Sequence, residues 1–345
     1  MKITIKEVAE RAGVSIATVS RVLNNSGSVT DRTRETIIRA ARELQYVPNI
    51  TARNLSRSKT DTIGLLLPDL HGEFYSEVIR GVDQKAQQSH HHLIVSSSHN
   101  NKHEIEAALR LMRGRVDGLI IMSPQIDAHT LQVNIPRSLP VVLLNCFVEG
   151  TSYDSINVDN YSGAYQMVRH LLEHGHRRIA IIKGTESNYD ADQRLYGYRK
   201  AMIESGFDVR DLVEVVGNFT EEEGYEAART IIAMQPRPTA IFASNDSMAI
   251  GAISALREAG LSVPKDVAVA GFDDIPISKF IRPPLSSVHV PIAELGECAM
   301  ERLLLAIEHK NDYRKQHKAI PATIVMRESC GSHDTEEEQT ARPTP

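Results

Sequence analysis

The sequence predicts an α/β protein that begins with a small helical head and continues as a two-lobed body of parallel sheets with helices on both faces. Three observations support this. The first sixty residues carry closely spaced helix-start signals, whereas from residue 61 short apolar runs alternate with amphipathic helices. The alternation restarts around residues 156–159, which indicates an approximate internal repeat of two α/β units.

Charge divides the chain in the same way. The 345 residues suggest two or three domains, and their net charge is −5. Residues 1–60 hold eleven basic and five acidic side chains, a charge of +6 that leaves −11 on the remaining 285 residues. A small basic module joined to a larger acidic body is therefore predicted, although the total charge alone would argue against a nucleic-acid partner.

Composition excludes several classes. Hydrophobic residues make up 41% of the chain, which is enough for a globular core. Cys146, Cys298 and Cys330 are odd in number and widely spaced, so we predict no disulfide framework and a reducing compartment. The N-terminus has no apolar stretch of signal-peptide length, and the apolar runs are strand-sized. We therefore expect a cytoplasmic protein without a membrane partner.

The head starts with a capping box in which Thr4 caps a helix and Glu7 reaches back. Gly13 ends this helix, and Ser15 caps a second one over residues 16–24, with Val19 and Leu23 facing inward. A third helix follows Thr30, with an apolar face formed by Ile37, Ala41 and Leu44. Two short helices joined by a glycine-containing turn are typical of a helix-turn-helix.

The alternative is a small helical bundle that merely docks on the body. Three features favour binding to a charged partner instead. The head is basic, its second helix is polar outside Val19 and Leu23, and about 50 residues are only marginally stable alone.

A linker follows. Pro48 ends the third helix, and residues 50–56 form a helix too short to persist alone. The acidic stretch at residues 336–338 and the polar end of the chain predict a disordered tail.

In the body, strands are predicted at residues 63–67, 93–96, 119–122 and 141–144, then at 179–183, 213–216, 240–243 and 267–272. Late strands at 288–290 and 322–326 are expected to complete the arrangement by crossing back. Parallel sheets of this kind bind ligands beside the carboxyl ends of their strands, in the cleft between lobes.

The stretch IKEVAERAGVSIATVSRVLNN, with VTDRTRETIIRAARELQYVPN after it, resembles the N-terminal signature of the lactose-repressor/galactose-repressor family of bacterial transcription regulators. The resemblance runs from about residue 3 to about residue 330, with distant motifs in the family's order. It implies a periplasmic-binding-protein-like body and a second head helix that enters the DNA major groove. Base-edge contacts would fall on Ile16, Ala17 and Arg21, and phosphate contacts on Ser15, Thr18, Ser20 and Asn24. Thr4 completes the predicted DNA contacts of the head.

The linker matches the family's hinge helix at Asn49, Ala52, Arg53 and Leu55. The resemblance implies that two such helices lie in the minor groove at the operator centre, where the leucine wedges between base pairs. The alternative is that Leu55 packs on the body or on a neighbour.

Seven positions of the body match the family's ligand site: Phe74, Tyr75, Asn145, Arg194, Phe219, Asn245 and Asp273. Rings that stack and charged groups that bond hydroxyls suit a polyhydroxylated effector. For the aromatic residues the alternative is ordinary core packing, and for Asp273 a turn or helix cap. Asp246 is interpreted as a helix N-cap rather than a ligand contact.

Some positions depart from the family pattern. His71-Gly-Glu73 precedes Phe74 where many members carry Asn-Pro, Asn145 stands where Asp is common, and Val290 stands where a polar residue is frequent. The identity of the effector is therefore left open.

Metal binding and enzyme catalysis are the alternative functions. The histidines at positions 90–92, 99 and 103 form a cluster, and His170 and His174 share a helix face. Because side chains alternate along a strand, the triplet cannot converge, and His174 reads as part of a helix C-terminus. We predict no metal site, no cofactor and no enzyme, since nucleotide, hydrolase and zinc-protease motifs are missing.

These observations combine into one hypothesis. We expect a DNA-binding domain at residues 1–48, a hinge at 49–60, an effector-binding and dimerisation domain at 61–331 and a disordered tail at 332–345. The protein would be a homodimeric repressor that binds a pseudo-palindromic operator on double-stranded DNA and responds to a sugar-like effector. The alternative is a solute-binding or cytosolic sugar-acting protein that uses the same cleft.

Overall fold

The computed structural model describes residues 3–24, 27–46, 59–146, 148, 153–186, 188–309 and 313–331. Contacts divide the chain into two compact units, Met1–Thr60 and Asp61–Pro345, and each is described by itself.

The first unit contains three helices: α1 (Ile5–Ala12), α2 (Ile16–Leu23) and α3 (Asp31–Glu43). The backbone amide of Thr4 donates to the Glu7 carboxylate at 2.7 Å, so Glu7 reaches back as predicted, while the Thr4 hydroxyl bonds that same carboxylate. Gly13 ends α1 with a left-handed φ of 67°. Ser15 then caps α2 by accepting the Thr18 amide at 3.1 Å. The predicted three-helix head is confirmed.

The core of this unit corrects one detail. Val8, Val19 and Ile37 are fully buried, as the helical spacing predicted for Val19 and Ile37. Leu23, predicted to face inward, is partly buried and packs against this cluster, whereas Val22, which was not predicted, is the second buried residue of α2. Neighbouring residues of a helix point about 100° apart, so Val22 and Leu23 lie on either side of the buried face.

The second unit forms two lobes, each built on a six-stranded sheet. The elements along the first lobe are β1 (Thr62–Leu67), α4 (Glu73–Gln88), β2 (His92–Ser97), α5 (Lys102–Met112), β3 (Gly118–Ile121), α6 (Ala128–Asn134), β4 (Val141–Leu144) and β5 (Asp154–Val158). The strands run β5-β4-β3-β1-β2 and are all parallel.

The second lobe repeats this order. Its elements are α7 (Asn160–Glu173), β6 (Ile179–Lys183), α8 (Tyr189–Glu204), β7 (Val213–Val216), α9 (Glu221–Ile232), β8 (Ala240–Ala243), α10 (Asp246–Glu258), β9 (Ala268–Asp273) and β10 (Ser286–His289). The strands run β10-β9-β8-β6-β7 in parallel, with short 3₁₀ turns at Val209–Asp211 and Pro276–Lys279. The predicted repeat of two doubly wound units is confirmed.

The end of the chain crosses between the lobes, though not as expected. It contains α11 (Ile292–Glu308), β11 (His317–Ile320), β12 (Thr323–Val325) and a final 3₁₀ turn, Glu328–Cys330. The two predicted late strands, β10 and β12, both lie in the second sheet. The crossing back is made by α11, which packs on α4, and by β11, which pairs with β5.

The second α/β unit was predicted to begin at residues 156–159, which is one strand too early. β5 still belongs to the first sheet, because it hydrogen-bonds in parallel with β4, and the second lobe begins with α7.

Close backbone contact fixes α11 on the first lobe. A Cβ atom at Gly81 of α4 would lie 1.9 Å from the carbonyl oxygen of Ala293, and one at Gly296 would lie 2.5 Å from that of Val78. Only glycine permits this approach, so α4 and α11 pack as one layer. None of the helices in the described ranges combines the length and apolar character needed to cross a bilayer.

Candidate functional site

A cleft of about 120 Å³ lies between the two lobes. In each sheet, the strand order reverses direction between the first strand and the third, β1/β3 and β6/β8. Loops diverge at such switch points and leave a crevice at the carboxyl ends of the strands. The cleft is lined largely by residues at or just after strand ends, the position at which such folds bind small molecules.

All seven sequence-predicted effector residues line this cleft, so the fold brings them together from both lobes. The sequence reasoning missed other lining residues, of which the most polar are His71, Glu73, Asn188, Asp190 and Ser247. Ligand contact by the seven predicted residues remains a prediction.

Arg194 of α8 is the most heavily bonded group of the cleft. It is 4% exposed, and its Nε donates to Asn160 Oδ1 at 2.7 Å. One terminal nitrogen donates to the Ser244 carbonyl, and the other lies 3.1 Å from Asp273 Oδ1. The guanidinium also stacks 3.8 Å above the centre of the Phe272 ring. Arg194 is thereby held rigidly, with its charge directed at Asp273.

Two carboxylates share this single cation. Desolvation raises the pKa of Asp273 to about 6 against the opposing effect of Arg194. It likewise raises the pKa of Asp190 to about 6, while Arg194 and a 2.8 Å bond from Asn160 Nδ2 act in the other direction. Both groups can therefore accept hydrogen bonds from ligand hydroxyls at neutral pH.

The opposite wall is aromatic and amide in character. Phe74 and Tyr75 meet edge to face, with ring centroids 5.6 Å apart, and burial raises the pKa of Tyr75. Asn145, just after β4, is 4% exposed. Within the described part of the chain, neither atom of its amide group has a hydrogen-bond partner. A buried amide without partners is costly, so a ligand or water is expected to complete its bonds.

Three of the predicted residues have strained backbones. The φ angles are 46° at Asn145, 64° at Phe219 and 103° at Asp273, all in a region that favours glycine. Phe219 is held there with its ring against Gly184, where an added Cβ would lie 2.1 Å from the ring. Strained non-glycine residues cluster at functional sites, since the surrounding fold must hold them in place.

The interpretation of Asp246 as a helix cap was wrong by one residue. Asn245 caps α10 by accepting the Met248 amide at 3.0 Å, while its own amide group donates to the Phe219 carbonyl. Asp246 is the first helical residue and is fully buried. It accepts hydrogen bonds from the hydroxyls of Ser278 and Ser287 and from the Ile275 amide.

Burial and the nearby Asp273 raise the pKa of Asp246 to about 8. Since the unfolded-chain value is about 4, the folded state retains a proton that the unfolded chain releases, and stability falls as pH rises from about 4 to about 8. We expect Asp246→Asn to flatten the part of this loss between pH 6 and 8. Urea midpoints at both pH values test it, and an equal loss in wild type and variant would contradict the assignment.

One hydrogen bond joins the lobes across the mouth of the cleft. The Glu73 carboxylate, at the start of α4, accepts the backbone amide of Ile277 at 2.9 Å. Glu73 belongs to the stretch His71-Gly-Glu73, where the sequence departs from the family pattern.

In the first unit, the three residues predicted to face base edges are all exposed: Ile16 (47%), Ala17 and Arg21. The polar residues around them bond locally, with the Ser15 and Thr18 hydroxyls 2.8 Å apart and Asn24 Nδ2 3.1 Å from the Ser20 hydroxyl. Asn49, Ala52, Arg53 and Leu55, and the predicted tail at 332–345, lie outside the described residues.

Two family models match the chain. One describes bacterial regulatory proteins of the lacI family and covers residues 4–49, and the other describes a periplasmic binding protein-like domain and covers residues 168–330.

Several proteins are similar to this chain over most of its length. The HTH-type transcriptional repressor PurR of Erwinia tasmaniensis is 38% identical over 94% of this chain and 96% of its own. The ribose operon repressor of Haemophilus influenzae is 35% identical over 95% and 99%. Among solved structures, the lac repressor dimer bound to operator and the anti-inducer ONPF has a TM-score of 0.83 at 30% identity, covering 96% of this chain and 99% of that one.

Proposed function

The chain belongs to the lacI family of bacterial regulatory proteins, and from this premise we propose that its effector is a small polyhydroxylated molecule, a sugar or sugar derivative, bound between the lobes. The protein is a DNA-binding transcriptional repressor of that family, controlled by a small molecule.

The rigid Arg194–Asp273 pair carries the effector proposal. Asp273 accepts hydroxyl hydrogens while Arg194 holds the carboxylate in place. Phe74, Tyr75 and Phe219 provide apolar faces for a sugar ring, and the Asn145 amide offers one donor group and one acceptor. This combination binds adjacent hydroxyls on a ring more readily than an apolar ligand.

A thermal-shift screen of pentoses, hexoses, sugar acids and nucleosides tests the proposal. A ligand at 100 times its dissociation constant adds about 2.7 kcal/mol to the free energy of unfolding. Stabilisation by one sugar or sugar acid, with its stereoisomers inactive, is the expected result. Stabilisation by nucleosides alone would contradict the proposal that the effector is a sugar or sugar derivative.

For the DNA site, we propose that Ile16, Ala17 and Arg21 contact base edges. Ser15, Thr18, Ser20, Asn24 and Thr4 would position the head on phosphates. The exposure of the three base-edge candidates on α2 supports this. We propose hinge contacts for Asn49, Ala52, Arg53 and Leu55 from the family resemblance alone.

Arg21→Ala is expected to relax base preference at one position of each half-site, at a cost of about 1–3 kcal/mol, because an arginine that bonds a guanine bidentately discriminates by that amount. Selection from random DNA measures the preference. Arg39→Ala is the control: it removes another exposed arginine, from α3, and should leave the base preference unchanged, with any loss of affinity equal across sequences. An unchanged site after Arg21→Ala would exclude the contact.

We also propose the domain bounds 1–48, 49–60, 61–331 and 332–345, a homodimer on a pseudo-palindromic operator and a cytoplasmic location. The effector is released unchanged, so that the cleft binds without turnover. The lac repressor relative was solved as a dimer on its operator, which supports the assembly.

A further inference from the structure

Three side chains meet at the end of the first sheet that lies opposite the cleft. Asp61 precedes β1, His91 precedes β2 and Asp117 precedes β3. Since β1 lies between the other two strands, their amino ends are neighbours. The nearest ligand atoms of the three side chains all lie within 4.8 Å of one another. None of the three lines the cleft.

The hydrogen bond of His91 leaves one ring nitrogen available to bind a cation. Its Nδ1 lies 2.8 Å from the backbone carbonyl of Ser89. A carbonyl oxygen can only accept, so Nδ1 carries the hydrogen and the neutral ring presents the lone pair of Nε2. Metal-binding histidines typically donate their second nitrogen to a backbone carbonyl in this way, which fixes the ring's orientation.

Backbone bonds tie the three segments together. The Asp61 amide donates to Asp117 Oδ2 at 2.7 Å, and the amide of His92 donates to the Asp61 carbonyl at 2.9 Å. The Asp117 amide donates to the Thr62 carbonyl at 2.8 Å. A carboxylate oxygen has two lone pairs, so the bond to the Asp61 amide is compatible with cation binding.

We propose that Asp61, His91 and Asp117 form a binding site for a divalent cation of the zinc type. One imidazole nitrogen with two carboxylate oxygens suits zinc, whereas magnesium and calcium prefer oxygen ligands alone. Zinc bonds of about 2.0–2.2 Å place tetrahedral ligand atoms about 3.3–3.6 Å apart. The ligand atoms lie within 4.8 Å of one another, so side-chain rotation has to bring them about 1 Å closer, and water takes the fourth position.

This site revises the sequence interpretation of the histidines. The sequence interpretation placed the triplet on a strand, but only His92 lies in β2. His91, just before β2, lies near the two aspartates that precede β1 and β3. Asp61 directly follows the proposed hinge at residues 49–60. A bound cation would therefore anchor the first residue of the second unit to the starts of β2 and β3.

Calorimetric titration of zinc chloride into the tag-free, chelator-treated full chain tests the proposal. We expect one zinc per chain, with affinity reduced at least tenfold by His91→Gln and by Asp61→Asn. His92→Gln is the matched control, since it removes the adjacent, exposed histidine and should leave the affinity unchanged. Cobalt should give the visible spectrum of a tetrahedral site in wild type and not in His91→Gln.

Zinc affinity that is the same in wild type and His91→Gln would overturn the site, and so would a loss of equal size in His92→Gln. Tighter binding of magnesium than of zinc would also overturn it. These readouts do not involve the effector, so they stand or fall separately from the proposed function.

Discussion

Asp273→Asn is expected to abolish the effector's influence on operator binding while leaving operator affinity without effector nearly unchanged. The substitution keeps the shape of the side chain and tolerates the positive φ, but it removes the charge that strengthens bonds from ligand hydroxyls. Each charge-assisted bond contributes about 1.5–3 kcal/mol, so losing two would weaken effector binding about 100-fold or more.

Asp274→Asn is the matched control for this prediction. Asp274 also has a positive φ, but its carboxylate bonds His289 at 2.9 Å and Arg327 at 2.7 Å and does not line the cleft. It should alter stability without altering effector affinity. Calorimetry with the effector identified by the screen measures both variants, and a normal response in Asp273→Asn would remove Asp273 from the site.

Arg194→Met is expected to cause the largest loss of stability, about 3–5 kcal/mol at pH 8, because it leaves buried carboxylates without their cation. Asp273 and Asp190 can escape this penalty by protonation. Since Arg194 lowers the pKa of both groups, its removal raises both values further. Protonation stabilises the folded variant at low pH, so the loss should be clearly smaller at pH 5 than at pH 8.

Arg199→Met provides the comparison within the same helix. Arg199 pairs with Glu214 at 2.6 Å, but its side chain is 35% exposed, and such pairs contribute only about 0–1 kcal/mol. Urea unfolding at both pH values distinguishes the two arginines. Equal losses for Arg194→Met and Arg199→Met would mean that the Arg194 network is not the electrostatic centre of the cleft.

Most of the fold could be predicted because its signals are local. Apolar runs such as 141–144 and 179–183 became strands with those bounds, and Gly13 and Ser15 ended and started helices as their chemistry requires. The seven cleft residues were assigned from the family resemblance. They come together because they lie at or after strand ends or in the first turns of helices, and parallel strands bring such positions to one edge.

The features that were missed depend on distant contacts. β11 (His317–Ile320) is mostly exposed and reads as a polar loop, and its pairing with β5 makes it a strand. Asp190 looks like an ordinary acid in the first turn of a helix. Its place in the cleft depends on a distant contact, since Asn160 of α7, thirty positions earlier, donates a hydrogen bond to it. Asp246 was misread because its three donors come from the loop and strand after β9.

The crossing of α11 and β11 back to the first lobe determines the order in which the lobes can be completed during synthesis. Leu295, Ala299 and Leu303 of α11 are buried, and α11 packs on β3, β4 and β5. Roughly 150 residues separate the end of β5 from the end of α11, which corresponds to about 8–30 s of translation. The first lobe is therefore begun early and finished late, and one apolar face of its sheet stays open on the ribosome until the second lobe has been made.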